Sequence, residues 1–160
     1  MEGRILEQQF SRMIACAQEA EKLDSLGKAF LSGLVSFDLP DPLRKTGLRV
    51  ETKNGDATVV VKAHGHIIES LFKHAWLYTN RDQGREFPKL VGHIQFWLLG
   101  RERAQDKVLY EIVFDDEGNG RIGKEKYLSS SISEDGAKRK ALIGLLTAIQ
   151  DALPHVILEY

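Results

Sequence analysis

Between residues 89 and 114 the chain alternates in a way that specifies two strands and how they pair. Residues 89–99 and 107–114 are rich in β-branched and aromatic side chains and are bounded by turn residues. A hairpin loop over residues 100–106 sets Leu98 against Val108, Phe96 against Tyr110 and Ile94 against Ile112. Alternate residues of a strand share a face, so this wholly apolar set is core. The same register sends Trp97 opposite Leu109, Gln95 opposite Glu111 and His93 opposite Val113 on the other face, which is mixed in character. A slip of one residue would undo the sorting, so the register is better determined than the strand ends. A third, weaker strand follows the turn at residues 115–120.

Upstream, Leu6, Phe10, Met13, Ala17 and Ala20 recur at helical spacing, and the stripe then shifts to Leu23, Leu26, Phe30 and Leu34. Residues 3–35 therefore read as helix, with Gly27 near the shift marking a kink or a division into two helices. Pro40 and Pro42 end it. Residues 47–53 and 57–63 flank Asn54 and Gly55, the pair that suits a type I′ hairpin turn. Ile68, Leu71, Phe72 and Ala75 then predict a middle helix of about three turns. Ser131, Ile132, Ser133 and Glu134 form a capping box before a last helix carrying Leu142, Leu145, Leu146, Ile149 and Leu153. The predicted fold is α+β, a single domain over residues 1–160. Its mainly antiparallel sheet has about five strands, with N-terminal, middle and C-terminal helices in the order αββαβββα.

Composition narrows the functional classes. With 160 residues and 42% hydrophobic content there is sequence for one ordinary core. Twenty-two basic and 23 acidic residues leave a formal charge of −1, so no global field favours a polyanion and nucleic-acid binding is disfavoured. Arg101, Arg103 and Lys107, with Arg81, Arg85 and Lys89, give only local basic groups interleaved with Glu86, Glu102 and Asp106. Cys16 has no partner for an intramolecular disulfide. No apolar run approaches the roughly 18 residues of a membrane span, and the N-terminus lacks a secretory apolar core. A soluble, cytoplasmic protein is expected.

Candidate chemistry is sparse. His64 and His66 have a spacing that can contribute two ligands to a metal such as zinc. Residues 115–122 resemble part of a calcium-binding loop, but the twelfth position is Lys126 where a bidentate Glu is needed. No nucleophile elbow, phosphate loop or dinucleotide fingerprint is present, no cofactor is implied, and enzymatic activity is unsupported. The mixed sheet face is the most informative feature. Either a helix partly covers it, or it is a groove in which Trp97 anchors apolar contact, Gln95 orients a ligand, and Glu111 with His93 supplies titratable groups. Lys124 is a potential cross-strand neighbour of Glu111.

The leading expectation is a non-enzymatic module that binds a protein or small-molecule partner through that face. The alternative is a metal-dependent hydrolase built on His64 and His66, and the third is a nucleic-acid-binding accessory protein. Surplus apolar sequence favours a homodimer: the run Val156, Ile157 and Leu158, and the small residues Ala15, Cys16, Ala17 and Ala20, suit subunit contacts. Two ligands rarely retain a metal, so elemental analysis of the purified protein should find less than one zinc, manganese or iron per chain. One tightly held ion, lost in His64→Ala, would instead promote the hydrolase.

Overall fold

The computed structural model describes residues 2–53, 58–78, 88–100 and 106–159. Helix α1 (Glu2–Ser36) runs without interruption for 35 residues. Its second half buries Leu23, Phe30, Leu31 and Leu34, whereas residues 3–15 are exposed throughout. Gly27 does not divide the helix. A Cβ at that position would lie 2.9 Å from the Phe72 ring, so the missing side chain is what lets helix and sheet close together. After Pro40 comes a single helical turn, α2 (Asp41–Arg44).

Seven strands follow: β1 (Arg49–Thr52), β2 (Val59–Ala63), β3 (His66–Leu77), β4 (Lys89–Leu98), β5 (Lys107–Phe114), β6 (Asn119–Ile122) and β7 (Ser130–Ser131). Helix α3 (Asp135–Asp151) closes the sequence of elements. Each strand pairs antiparallel with the one before it, giving one sheet in the order β1 to β7, curled into a half-barrel. The expected five-stranded sheet in the order αββαβββα is therefore corrected. The predicted middle helix is strand β3, and β7 was not anticipated. The helical look of Ile68, Leu71, Phe72 and Ala75 comes from apolar residues on both faces of one strand. Ile68 and Phe72 point to the core, while Leu71 and Ala75 point the other way.

The two expected hairpins form, each with a shift of register. Strands β1 and β2 pair Arg49 with Lys62 through Thr52 with Val59, and Lys53 donates to the Thr58 carbonyl, so four residues separate the paired ends where a type I′ turn on Asn54 and Gly55 would leave two; residues 54–57 themselves lie outside the described residues. Between β4 and β5, Ile94 meets Ile112, Phe96 meets Tyr110, Gln95 meets Glu111 and His93 meets Val113, as the alternation requires. An irregularity between Phe96 and Trp97 then shifts the register. Trp97 pairs with Val108 and Leu98 with Lys107, one residue from the expected partners, and Leu109 is the extra residue of a bulge.

The core lies on the sheet face covered by α1 and α3. Ile68, Ile94, Phe96, Ile112, Phe114 and Ile122 pack there with Leu23, Phe30 and Leu34 from α1 and Leu142, Leu145 and Ile149 from α3. Phe72 and Phe114 stack with ring centroids 6.0 Å apart. The predicted capping box does not form: Ser131 belongs to β7, Ile132 is a buried plug, and Glu134 precedes α3 without a side-chain cap. Gly92 faces the Phe114 ring so closely that a Cβ would lie 2.3 Å from it. Gly92→Ala should therefore lower stability by about 1–3 kcal/mol in urea denaturation, as overpacking does. An unchanged midpoint would show that the ring does not depend on that glycine.

Candidate ligand-binding face

The alternation that buries Ile94 and Phe96 sends Val91, His93, Gln95 and Trp97 of β4 to the opposite face of the sheet. Their neighbours follow from the register. Lys73 lies opposite His93, Leu71 opposite Gln95 and Glu69 opposite Trp97 on β3. On the β5 side, Val113 lies opposite His93 and Glu111 opposite Gln95, and Val113 in turn faces Arg121 on β6. One row across the sheet thus reads Lys73, His93, Val113, Arg121, and the next reads Leu71, Gln95, Glu111.

All four face residues expected from the sequence are brought together. Gln95 is only 8% exposed, and its side-chain amide donates to Glu111 Oε1 at 3.4 Å. The same carboxylate oxygen lies 3.6 Å from His93 Nε2, close enough for charge to be felt but too long for a good hydrogen bond. Four polar atoms here are buried without a hydrogen-bond partner among the described residues: His93 Nε2, Gln95 Oε1, Trp97 Nε1 and Arg121 Nε. A buried polar atom left unpaired costs about 1–3 kcal/mol. Most native structures carry few such atoms, so four on one sheet face are a concentrated deficit. Towards the β1 edge the charges are already paired at the surface, Lys53 with Glu69 at 2.9 Å and Lys62 with Glu51 at 3.2 Å.

The unpaired set is chemically varied. Trp97 and Arg121 offer N–H donors, Gln95 Oε1 is an acceptor, and His93 takes either role according to its tautomer. Leu71, Val91 and Val113 supply apolar wall between them. Glu111 also lines an open groove of about 730 Å³ between β5 and α3, bordered by Leu109, Tyr110, Lys124, Gly144 and Thr147.

Arg121 was not expected at the site. Its strand follows a glycine-rich acidic turn that hides the register. A six-residue turn would have placed Lys124 opposite Glu111. The observed turn is one residue tighter: the Gly123 N–H donates to the Glu111 carbonyl, Ile122 enters the core, and Arg121 joins His93.

The other predicted pair lies elsewhere. His64 and Gly65 form the two-residue turn between β2 and β3, with φ values of 52° and 75°, and His66 opens β3. His64 Nε2 lies 3.2 Å from Gln150 Nε2 of α3. Among the described residues no group of three or more His, Cys, Asp or Glu is arranged to hold a metal. Arg81, Arg85, Arg101 and Arg103 lie outside the described residues. No described helix is long and apolar enough to cross a membrane. In comparison with known proteins, no family model matches the chain, and no curated protein or solved structure matches it.

Burial is the main reason that the His93 pKa lies below its ordinary 6.5; the Glu111 charge pulls it back up, while Lys73 and Arg121 push it down. The unfolded chain therefore binds this proton more readily than the folded one. His93 contributes full stability above pH 6.5, and that contribution shrinks as pH falls from there towards the lowered folded value. Urea denaturation between pH 8 and 5 should show a shallower loss in His93→Gln than in the parent protein. Equal slopes would mean that His93 titrates normally.

Proposed function

We propose that the protein is a non-enzymatic binding module, and that the face formed by His93, Gln95, Trp97, Glu111 and Arg121 takes up a small organic partner carrying both hydrogen-bond donors and acceptors. The observation that carries this reading is the cluster of four buried polar atoms without partners on one side of the sheet. Such atoms oppose folding, and their retention together is the pattern expected where a ligand supplies the missing bonds. A carboxylate or amide fits the donors of Trp97 and Arg121 and the acceptor of Gln95, with Leu71 and Val113 flanking an apolar portion.

Among the described residues no observation favours a metal-dependent hydrolase on His64 and His66 over this reading, nor a nucleic-acid partner. We also read the protein as a cytoplasmic homodimer. Apolar side chains remain exposed along the first half of α1 and in the tail, where Val156, Ile157 and Leu158 are at least 68% exposed.

The proposal couples stability to binding in opposite senses. Gln95→Leu removes a buried Oε1 that lacks a partner, at the loss of one long 3.4 Å hydrogen bond to Glu111, and should raise stability by about 1 kcal/mol in urea denaturation. In thermal-shift measurements against a panel of small carboxylic acids and amides, the parent protein should gain stability with at least one member. Gln95→Leu and Trp97→Phe should lose that response. A destabilised Gln95→Leu together with no response from the parent protein would remove the proposal.

A further inference from the structure

The first half of α1 is exposed, and its apolar side chains are uncovered among the described residues. Residues 3–15 are all exposed, and Ile5, Leu6, Phe10, Met13 and Ile14 retain between 52% and 63% of their accessible surface. A helical segment this short has little stability in water without tertiary packing on an apolar face. Packing on the body resumes only at Cys16 and Ala20, which touch the core, and is complete at Leu23. The exposed stripe follows the three-then-four spacing of a coiled-coil seam, with Gly3, Phe10 and Ala17 in one set of positions and Leu6, Met13 and Ala20 in the other.

Resting on the homodimer reading above, we infer that the occupant of this seam is the same segment of a second copy, packed antiparallel around a two-fold axis. The seam is graded in size: Leu6, Phe10 and Met13 are bulky, while Gly3, Ala17 and Ala20 are small. A parallel pair would set Phe10 on Phe10 and Ala17 on Ala17, crowding one end and leaving the other thin. An antiparallel pair in which the two positions of each layer sum to 23 does the reverse. Leu6 then meets Ala17 of the second copy and Phe10 meets Met13, so that large side chains are spread along the seam in place of stacking on one another.

The flanks agree with this register. Glu7 falls beside Ile14 of the second copy and Gln9 beside Cys16, so no like charges face one another across the seam. Length also agrees, because Gly3 reaches the level of Ala20 and stops short of Leu23, where the second copy's body takes over the helix surface. The two bodies are thereby placed at opposite ends of the paired arms. Leu6, Phe10 and Met13 on the seam and Ile14 beside it keep about 100 Å² each, so the pair removes roughly 800 Å² of apolar surface from water before the stems of Glu7 and Gln9 are added, close to the roughly 1,000 Å² that a specific interface needs.

The test uses the full chain with Cys16→Ser as background. Light scattering should give the mass of a dimer, and Leu6→Glu with Phe10→Glu should give a monomer that still unfolds cooperatively, since neither residue belongs to the core. Under oxidation, the doubly substituted Leu6→Cys, Ala17→Cys protein should form a covalent dimer, whereas Phe10→Cys alone should not. A monomeric mass at every concentration would overturn both the dimer and the seam. A dimer that survives the two glutamates, or Phe10→Cys linking to itself, would overturn the antiparallel seam and leave the dimer standing. Ligand response of the sheet face is read separately by thermal shift, so its failure and the failure of the seam are distinguishable.

Discussion

The strict alternation of side chains along β4 ties the core of this protein to its candidate site. Ile94 and Phe96 are fully buried in the core that the sheet forms with α1 and α3. Because successive residues point to opposite faces, burying them commits His93, Gln95 and Trp97 to the other side. The pairing with β5 extends the commitment: Ile112 and Phe114 go inward, so Glu111 and Val113 go outward. The polar row is therefore not free to move independently of the core. Its members are held by a ladder whose other face is the most deeply buried part of the molecule. Rigid support of this kind is what a binding constellation requires.

Legibility in the sequence followed the strength of periodicity. Where one strand face was wholly apolar and the other mixed, as over residues 92–96, the pairing with β5 and the shared face of His93, Gln95 and Glu111 could be read directly. The prediction failed first at Trp97, where a bulge adds Leu109 to β5 and nothing in the residue pattern distinguishes a bulged strand from a regular one. It failed more seriously at β3. There Ile67 and Leu71 on one face and Ile68 and Phe72 on the other together mimic a helical stripe, and the deciding contact, Phe72 against Gly27 of α1 and against Phe114, lies far away in sequence. Arg121 was missed because its register depends on a turn whose length glycine leaves open. The capping pattern at residues 131–134 was overridden by the pairing of Ser130 and Ser131 with β6 and by the burial of Ile132.

The described residues present two kinds of unsatisfied surface, and they differ physically. On the sheet face the deficit is in hydrogen bonds, concentrated in four buried atoms and directional, which suits a small partner of matching polarity. On the first half of α1 the deficit is in apolar contact, spread along a periodic seam, which suits another helix. The two surfaces use separate residues, so association through the arm leaves the chemistry of the sheet face unchanged.

The central claim is that Trp97 and its neighbours keep polar atoms waiting for a partner. It is tested most directly by the indole N–H resonance of Trp97 in protein labelled with nitrogen-15 at tryptophan, assigned by comparison with Trp76→Phe. A buried donor without an acceptor should resonate at the upfield, non-bonded position and exchange slowly with solvent, and should move downfield when a partner binds. A downfield, hydrogen-bonded resonance in the free protein would contradict the claim, because the donor would already be satisfied from within the fold.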